Sequence, residues 1–127
     1  MDLSQLMEKV SKNVNGTHTA YDDNKSFVVI PVPSKRYQSV LAEYVRHEHL
    51  KYIQISSKIC EEDKTPDKLF HLEKNLTFGK LAIKDGFLQV VGYLDENMDP
   101  QLATAIVTEI ANFADEQEKR ITGEDVY

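Results

Sequence analysis

Cys60 is the sole cysteine in 127 residues, so no disulfide can close within the chain and a packed core has to hold the fold. Long hydrophobic runs are missing too. No stretch of about 18 apolar residues and no charged-then-apolar leader occurs, which, with the lone thiol, predicts a reducing, cytoplasmic location and no membrane contact. Basic residues are in deficit, 15 Lys and Arg against 21 Asp and Glu, for a formal net charge of −6. Binding to a phosphate backbone relies on clustered Lys and Arg that release counterions, so this balance argues against nucleic acid as a partner. The five glycines are scattered, and none forms a loop able to cradle a phosphate, which leaves no sign of a nucleotide or other cofactor. Two sequons, Asn15-Gly16-Thr17 and Asn75-Leu76-Thr77, have meaning only in a secreted chain and are read as chance matches.

What is present suits one globular domain spanning residues 1–127. An apolar share of 41% with 28% charged residues is ordinary for a folded protein, and a chain of this length buries roughly two-thirds of its unfolded surface. Leu3, Leu6, Met7, Val10 and Val14 recur at helical spacing and predict an amphipathic helix that Asn15-Gly16 ends. The polar stretch that follows has room for a short strand around Thr17 to Tyr21, which is not counted in the expected element order. The run Phe27-Val28-Val29-Ile30-Pro31-Val32 is continuous and β-branched, which predicts a strand covered on both faces, with Pro31 at an edge or at the strand's end.

Pro33-Ser34-Lys35 reads as a turn into a strand from about Arg36 to Val45, and Arg46-His47-Glu48-His49 as a turn into another from about Leu50 to Ser57. Thr65-Pro66-Asp67 opens a helix with Leu69, Leu72 and Leu76 on one stripe and Phe70 beside it. Asp85-Gly86 between Leu81-Ala82-Ile83-Lys84 and Phe87-Leu88-Gln89-Val90 signals a two-residue type I′ hairpin. Asp99-Pro100 starts a last helix through Leu102, Ile106, Ile110, Phe113 and Ala114 to about Ile121, with Gly123 just beyond. The expected fold class is α+β, an antiparallel sheet with helices in the order α-β-β-β-α-β-β-α.

The hairpin turn sets a register in which Lys84 faces Phe87, Ile83 faces Leu88, Leu81 faces Val90, Gly79 faces Gly92 and Phe78 faces Tyr93. Leu81, Ile83, Leu88, Val90 and Leu94 then form the inner face, where the glycine pair lets a helix come close. The outer face carries Lys80, Ala82, Lys84 and Gln89 but also Phe78, Phe87, Val91 and Tyr93, an apolar set of the kind that marks an interface. With Phe70, these four are the expected partner-binding residues. Tyr37, Leu41 and Val45 lie on one side of the middle strand and Val40, Ala42 and Tyr44 on the other, so neither side is plainly solvent.

Candidates for chemistry are few. His47 and His49, two apart, could share a strand face and hold a metal, yet a closed site needs three or four ligands, and His18 and His71 belong to other elements. Cys60 has no histidine arranged to activate it, and Glu61, Glu62 and Asp63 disfavour its thiolate. Asp115, Glu116 and Glu118 read as a solvated helix face. No catalytic, metal or cofactor site is expected. Two alternatives stand beside a protein-binding role: a small-molecule-binding or metal-dependent enzyme using His47 and His49, and a structural subunit of a larger assembly.

Lys35-Arg36-Tyr37-Gln38-Ser39-Val40 resembles the opening of the second strand in YbjN-type proteins, which share the fold of the type III secretion chaperones. Leu72-Glu73-Lys74-Asn75-Leu76, Phe78-Gly79-Lys80-Leu81-Ala82-Ile83 and Asp85-Gly86 resemble their helix-to-hairpin passage, and Ile110-Ala111-Asn112-Phe113-Ala114-Asp115 their final helix. The similarity spans about Phe27 to Tyr127. It implies a homodimeric chaperone-like domain that, in the secretion chaperones, holds an extended segment of a client protein on hydrophobic patches. No catalytic residues carry over.

Overall fold

A computed structural model describes residues 1–122 of the chain, with Phe70 described in its backbone alone. The expected contact of the Phe70 side chain and the expected stop at Gly123 lie outside the described residues. Two α-helices and six strands follow in the order α1 (Leu3–Asn13), β1 (Thr17–Asp22), β2 (Lys25–Pro31), β3 (Tyr37–His47), β4 (Leu50–Glu61), β5 (Lys80–Lys84), β6 (Phe87–Leu94) and α2 (Pro100–Thr122). The class is α+β, with one antiparallel sheet ordered β1-β2-β3-β4-β6-β5. None of the described helices is long and apolar enough to cross a membrane.

Local chemistry accounts for most of these boundaries. Asp2 caps α1 reciprocally: its carboxylate accepts the Gln5 N–H at 2.8 Å while its own N–H donates to Gln5 Oε1 at 3.0 Å. Asn15, at φ 59°, turns the chain out of the helix. Asp85 and Gly86 both take positive φ, 54° and 81°, and the hairpin register comes out with Lys84 opposite Phe87 and Leu81 opposite Val90. At α2, the Asp99 carboxylate accepts the Gln101 N–H at 3.0 Å. Pro31 closes β2 at its end, where no ladder bond is lost.

The segment after β4 departs from its pattern. Instead of an α-helix from Thr65-Pro66, the chain makes 3-10 turns at Glu62–Lys64 and Leu69–Asn75, with Leu69 N–H donating to the Pro66 carbonyl at 3.2 Å. No side chain caps the second turn. Seven uncapped residues cannot sustain α-helical hydrogen bonding, and the longer rise of the 3-10 form helps them bridge from β4 to the far edge strand.

Both helices lie on one face of the sheet. α1 packs on β1, β2 and β3, and α2 on β3, β4 and β6. Val28, Ile30, Val40, Ala42, Ile53, Ile55, Leu88, Val90 and Leu94 meet Leu6, Met7, Val10, Val107 and Ile110 in the core. The expectation that β2 is covered on both faces is therefore corrected: Val28 and Ile30 are buried, whereas Phe27 faces away from the helices and is exposed. Ile83 points to the helix side as expected but sits on the edge strand, where nothing closes over it, and is exposed.

Ile110 sets the height of α2. A Cβ on Gly92 would lie 2.7 Å from Ile110 Cδ1, and one on Gly79 would lie 3.4 Å from the same atom, so two side chains are missing where the helix comes closest. Polar anchors hold the connections. Arg36, leading into β3, donates to Asp115 Oδ1 through Nε at 3.1 Å and Nη2 at 2.7 Å, and the Ser34 hydroxyl donates to Oδ2 at 3.1 Å. Asp115 and Glu118 are buried, not solvated as their charges suggested. The Glu109 carboxylate accepts the N–H groups of Thr77, Phe78 and Gly79, fixing the approach to β5. On the core face, Gln38 Nε2 donates to Ser57 Oγ at 2.8 Å and to the Lys58 carbonyl at 3.2 Å, beside the irregularity between Lys58 and Cys60.

Tyr44 joins three elements: its hydroxyl accepts the Leu3 N–H at 2.8 Å and donates to Glu96 Oε2 at 2.5 Å. Burial first, then the bond to Glu96, pushes the phenol up to about 12. Because this folded value lies above that of a free phenol, the Tyr44 contribution to stability is intact below about pH 10 and is lost as the pH climbs towards 12. Denaturant titrations at a series of alkaline pH values should show this loss in the native chain, and Tyr44→Phe should remove that part of the slope. Gly92→Ala should destabilise the fold by about 1–3 kcal/mol through overpacking. Combined with Ile110→Val, which removes the opposing Cδ1, it should cost less than the sum of the two single changes.

Candidate functional site

The second face of the sheet carries no helix among the described residues, and the strand parities read its contents directly. β2 contributes Phe27 and Val29, β3 Tyr37, Ser39, Leu41, Glu43 and Val45, β4 Leu50, Tyr52, Gln54, Ser56 and Lys58, and β6 Phe87, Gln89, Val91 and Tyr93. A solvent-facing sheet would place polar residues at most of these positions. Aromatic and aliphatic side chains outnumber polar ones at these positions, while Thr17, Thr19, Lys25, Glu61, Lys80 and Lys84 bring polar groups to the same face.

One ion pair reveals the shape of this face. Lys84 Nζ lies 2.8 Å from Glu43 Oε1, although β5 and β3 are separated in the sheet by β6 and β4. Glu43 is level with Gln54 and Tyr93, whereas Lys84 is level with Phe87. In a flat sheet the two positions would stand about 25 Å apart, from three strand spacings of about 4.8 Å and six residues at about 3.3 Å each. Two side chains cannot span that. The sheet is therefore strongly coiled, and the tip of the β5–β6 hairpin curls over the face towards β3.

Beneath that tip lies a trough of about 360 Å³ lined by Phe27, Leu41, Ser39, Ser56, Lys58 and Gln89, with Lys84 and Asp85 at its rim. Lys84 also approaches Asp85 Oδ2 at 3.9 Å. The Lys58 ammonium sits 4.1 Å from the centre of the Phe87 ring, a cation–π contact. Farther along, Tyr52 and Tyr93 meet edge to face at 5.4 Å.

The structure divides the expected partner-binding residues. Phe87, Val91 and Tyr93 do lie on the helix-free face. Tyr93 is 52% exposed, but Val91 is only 4% exposed, because it sits inside the sheet between Ser56 and Lys80 and neighbouring side chains close over it. Phe78 precedes β5, beyond the last ladder pair of the hairpin, so it does not face Tyr93; it is 44% exposed in the loop held by Glu109. Phe27, Ser39, Ser56 and Lys58 went unassigned in the sequence. Their convergence needs the pairing of Phe27 with Leu41 and of Ser56 with Val91, and the Pro33-Ser34-Lys35 turn has no two-residue signature that would set the first of these.

The chemical candidates are also dispersed. His47 ends β3 opposite Leu50, and Glu48-His49 forms the two-residue turn, so the two imidazoles do not share a strand face. Among the described residues no three His, Cys, Asp or Glu side chains gather as metal ligands. Cys60 is buried on the core face, and burial first, with Asp63 and Glu61 adding repulsion, raises its thiol above the usual range. No family model matches the chain, and no curated protein matches it. A thiol held protonated and buried should be inert: Cys60 is expected to resist a disulfide-exchange reagent in the native protein and to react fully in denaturant, as read by absorbance.

Proposed function

We propose that this chain is a non-catalytic, cytoplasmic protein-binding domain, self-associating and chaperone-like, which takes a partner polypeptide on the helix-free face of its sheet. One observation carries the reading. Tyr21 against Phe27, and Tyr37, Leu50 and Tyr93 farther along the strands, are each exposed on the face that no described helix covers, Leu50 at 66%. Exposed apolar sets of this extent on a soluble domain mark interaction surfaces, and each Å² withdrawn from water contributes roughly 25 cal/mol.

The size suits the role. Six strands at about 4.8 Å spacing, five to twelve residues long, present a contour of roughly 600–800 Å², near the approximately 800 Å² that one partner contributes to a standard interface. The concavity favours an extended segment of a client laid along the strands, and the aromatic rim at Tyr37 and Tyr93 supplies residues of the kind that anchor interfaces. The similarity of the sequence to YbjN-type and secretion-chaperone proteins supports the same reading, including a second copy of the chain as one partner. Nothing in the chemistry of the face calls for a cofactor.

Sedimentation equilibrium at tens of micromolar should return a dimer, and a clean monomer would remove self-association from the proposal. Leu50→Lys and Tyr93→Lys should each raise the dimer dissociation constant by roughly ten-fold, the effect of about 1.4 kcal/mol. Leu102→Lys, on an exposed position of α2 on the other side of the sheet, should leave it unchanged.

A further inference from the structure

The trough under the hairpin tip has a composition that the rest of the face lacks. Its floor is apolar, from Phe27 and Leu41. Ser39 and Ser56 bring hydroxyls to the same space, and neither hydroxyl has a hydrogen-bond partner among the described residues. Gln89 donates Nε2 to the Lys84 carbonyl at 2.9 Å, which leaves its Oε1 without a protein partner. Ser56 and Gln89 are nevertheless buried residues. Their unpartnered oxygens are nonetheless open to solvent in the trough, so a ligand entering it can replace water there.

The charges around the trough sum to zero, with Lys58 and Lys84 against Glu43 and Asp85, but they are unevenly paired. Lys84 pairs with Glu43 at 2.8 Å, whereas Asp85 stands 3.9 Å from the same ammonium with its side chain exposed. Lys58 has no carboxylate within 4.0 Å among the described residues; its ammonium rests on the Phe87 ring. One cation with two hydroxyl donors at the end of an apolar floor is complementary to one carboxylate carrying an apolar body. The volume, about 360 Å³, lies at the small end of the range of roughly 300–1,000 Å³ for small-molecule cavities and is too short for a long stretch of polypeptide.

We infer that the trough is a binding site for a small amphipathic monocarboxylate, a short aliphatic or aromatic acid. Its apolar part lies on Phe27 and Leu41, and its carboxylate accepts hydrogen bonds from Ser39, Ser56 and the Lys58 ammonium. The Lys84–Glu43 pair bridges above and closes one end of the site. This goes beyond the binding of a polypeptide to the wider face and does not depend on it.

Hexanoate, with hexylammonium and hexanol as matched controls, is a sufficient probe for amide-resolved NMR titration of the full chain. Hexanoate should shift the amides of Phe27, Ser39, Leu41, Ser56 and Lys58 saturably, hexanol more weakly, and hexylammonium least. Lys58→Met should weaken hexanoate by about five-fold, the scale of one partly exposed charge pair, and Lys58→Glu should reverse the preference between acid and amine. Lys58 is exposed, so neither change endangers folding. No saturable shift at tens of millimolar, or equal binding of acid and amine, would overturn the assignment. If a second copy of the chain fills the trough instead, hexanoate-titratable sites will diminish as protein concentration rises, and that result rejects the small-acid reading. Sedimentation of the same samples reports self-association separately, so the two proposals can fail independently.

Discussion

The close approach of α2 to the sheet is the constraint on which the arrangement depends. Ile110 drops into the space that Gly79 and Gly92 leave open, and a Cβ at Gly92 would stand 2.7 Å from its terminal methyl. That contact places α2 over β4 and β6, and α1 takes the remaining area over β1, β2 and β3 on the same side. With both helices committed there, no described helix covers the other face. Among the described residues only the hairpin tip and neighbouring side chains cover its aromatic and aliphatic residues, which leaves Tyr37, Leu50 and Tyr93 exposed.

The acidic composition also acquires a structural meaning. Asp2 caps α1, Asp99 caps α2, Glu109 accepts three consecutive backbone N–H groups, Glu73 accepts the Leu81 N–H at 2.9 Å, and Asp115 holds Arg36. Many of the carboxylates that give the chain its charge of −6 thus satisfy donors that would otherwise be left open at helix ends and loops. This is why reading Asp115 and Glu118 as a solvated face failed. Periodicity sorts residues by polarity, and it cannot distinguish a charge facing water from one facing a partly buried guanidinium.

Legibility followed the range of the interactions. The cap at Asp99, the Asp85-Gly86 turn and the register from Lys84–Phe87 to Leu81–Val90 are set within a few residues, and they came out as their residue types demand. The helix expected after Thr65 did not form as an α-helix, because a short uncapped segment takes its shape from the span it has to bridge. Phe87 and Tyr93 were placed on the helix-free face by alternation alone. Val91 shares their parity, yet whether a side chain in the middle of a sheet is exposed depends on what stands on the two neighbouring strands.

The sequence by itself determined the α+β class, most of the strands, and the hairpin with its register, since each follows from local propensity. Only the tertiary structure decided that both helices lie on one side, that β6 inserts between β4 and β5, and that the sheet coils until Lys84 meets Glu43 above a trough. Those outcomes come from pairing and twist summed over strands distant in the chain. No window of neighbouring residues contains the energy that selects them.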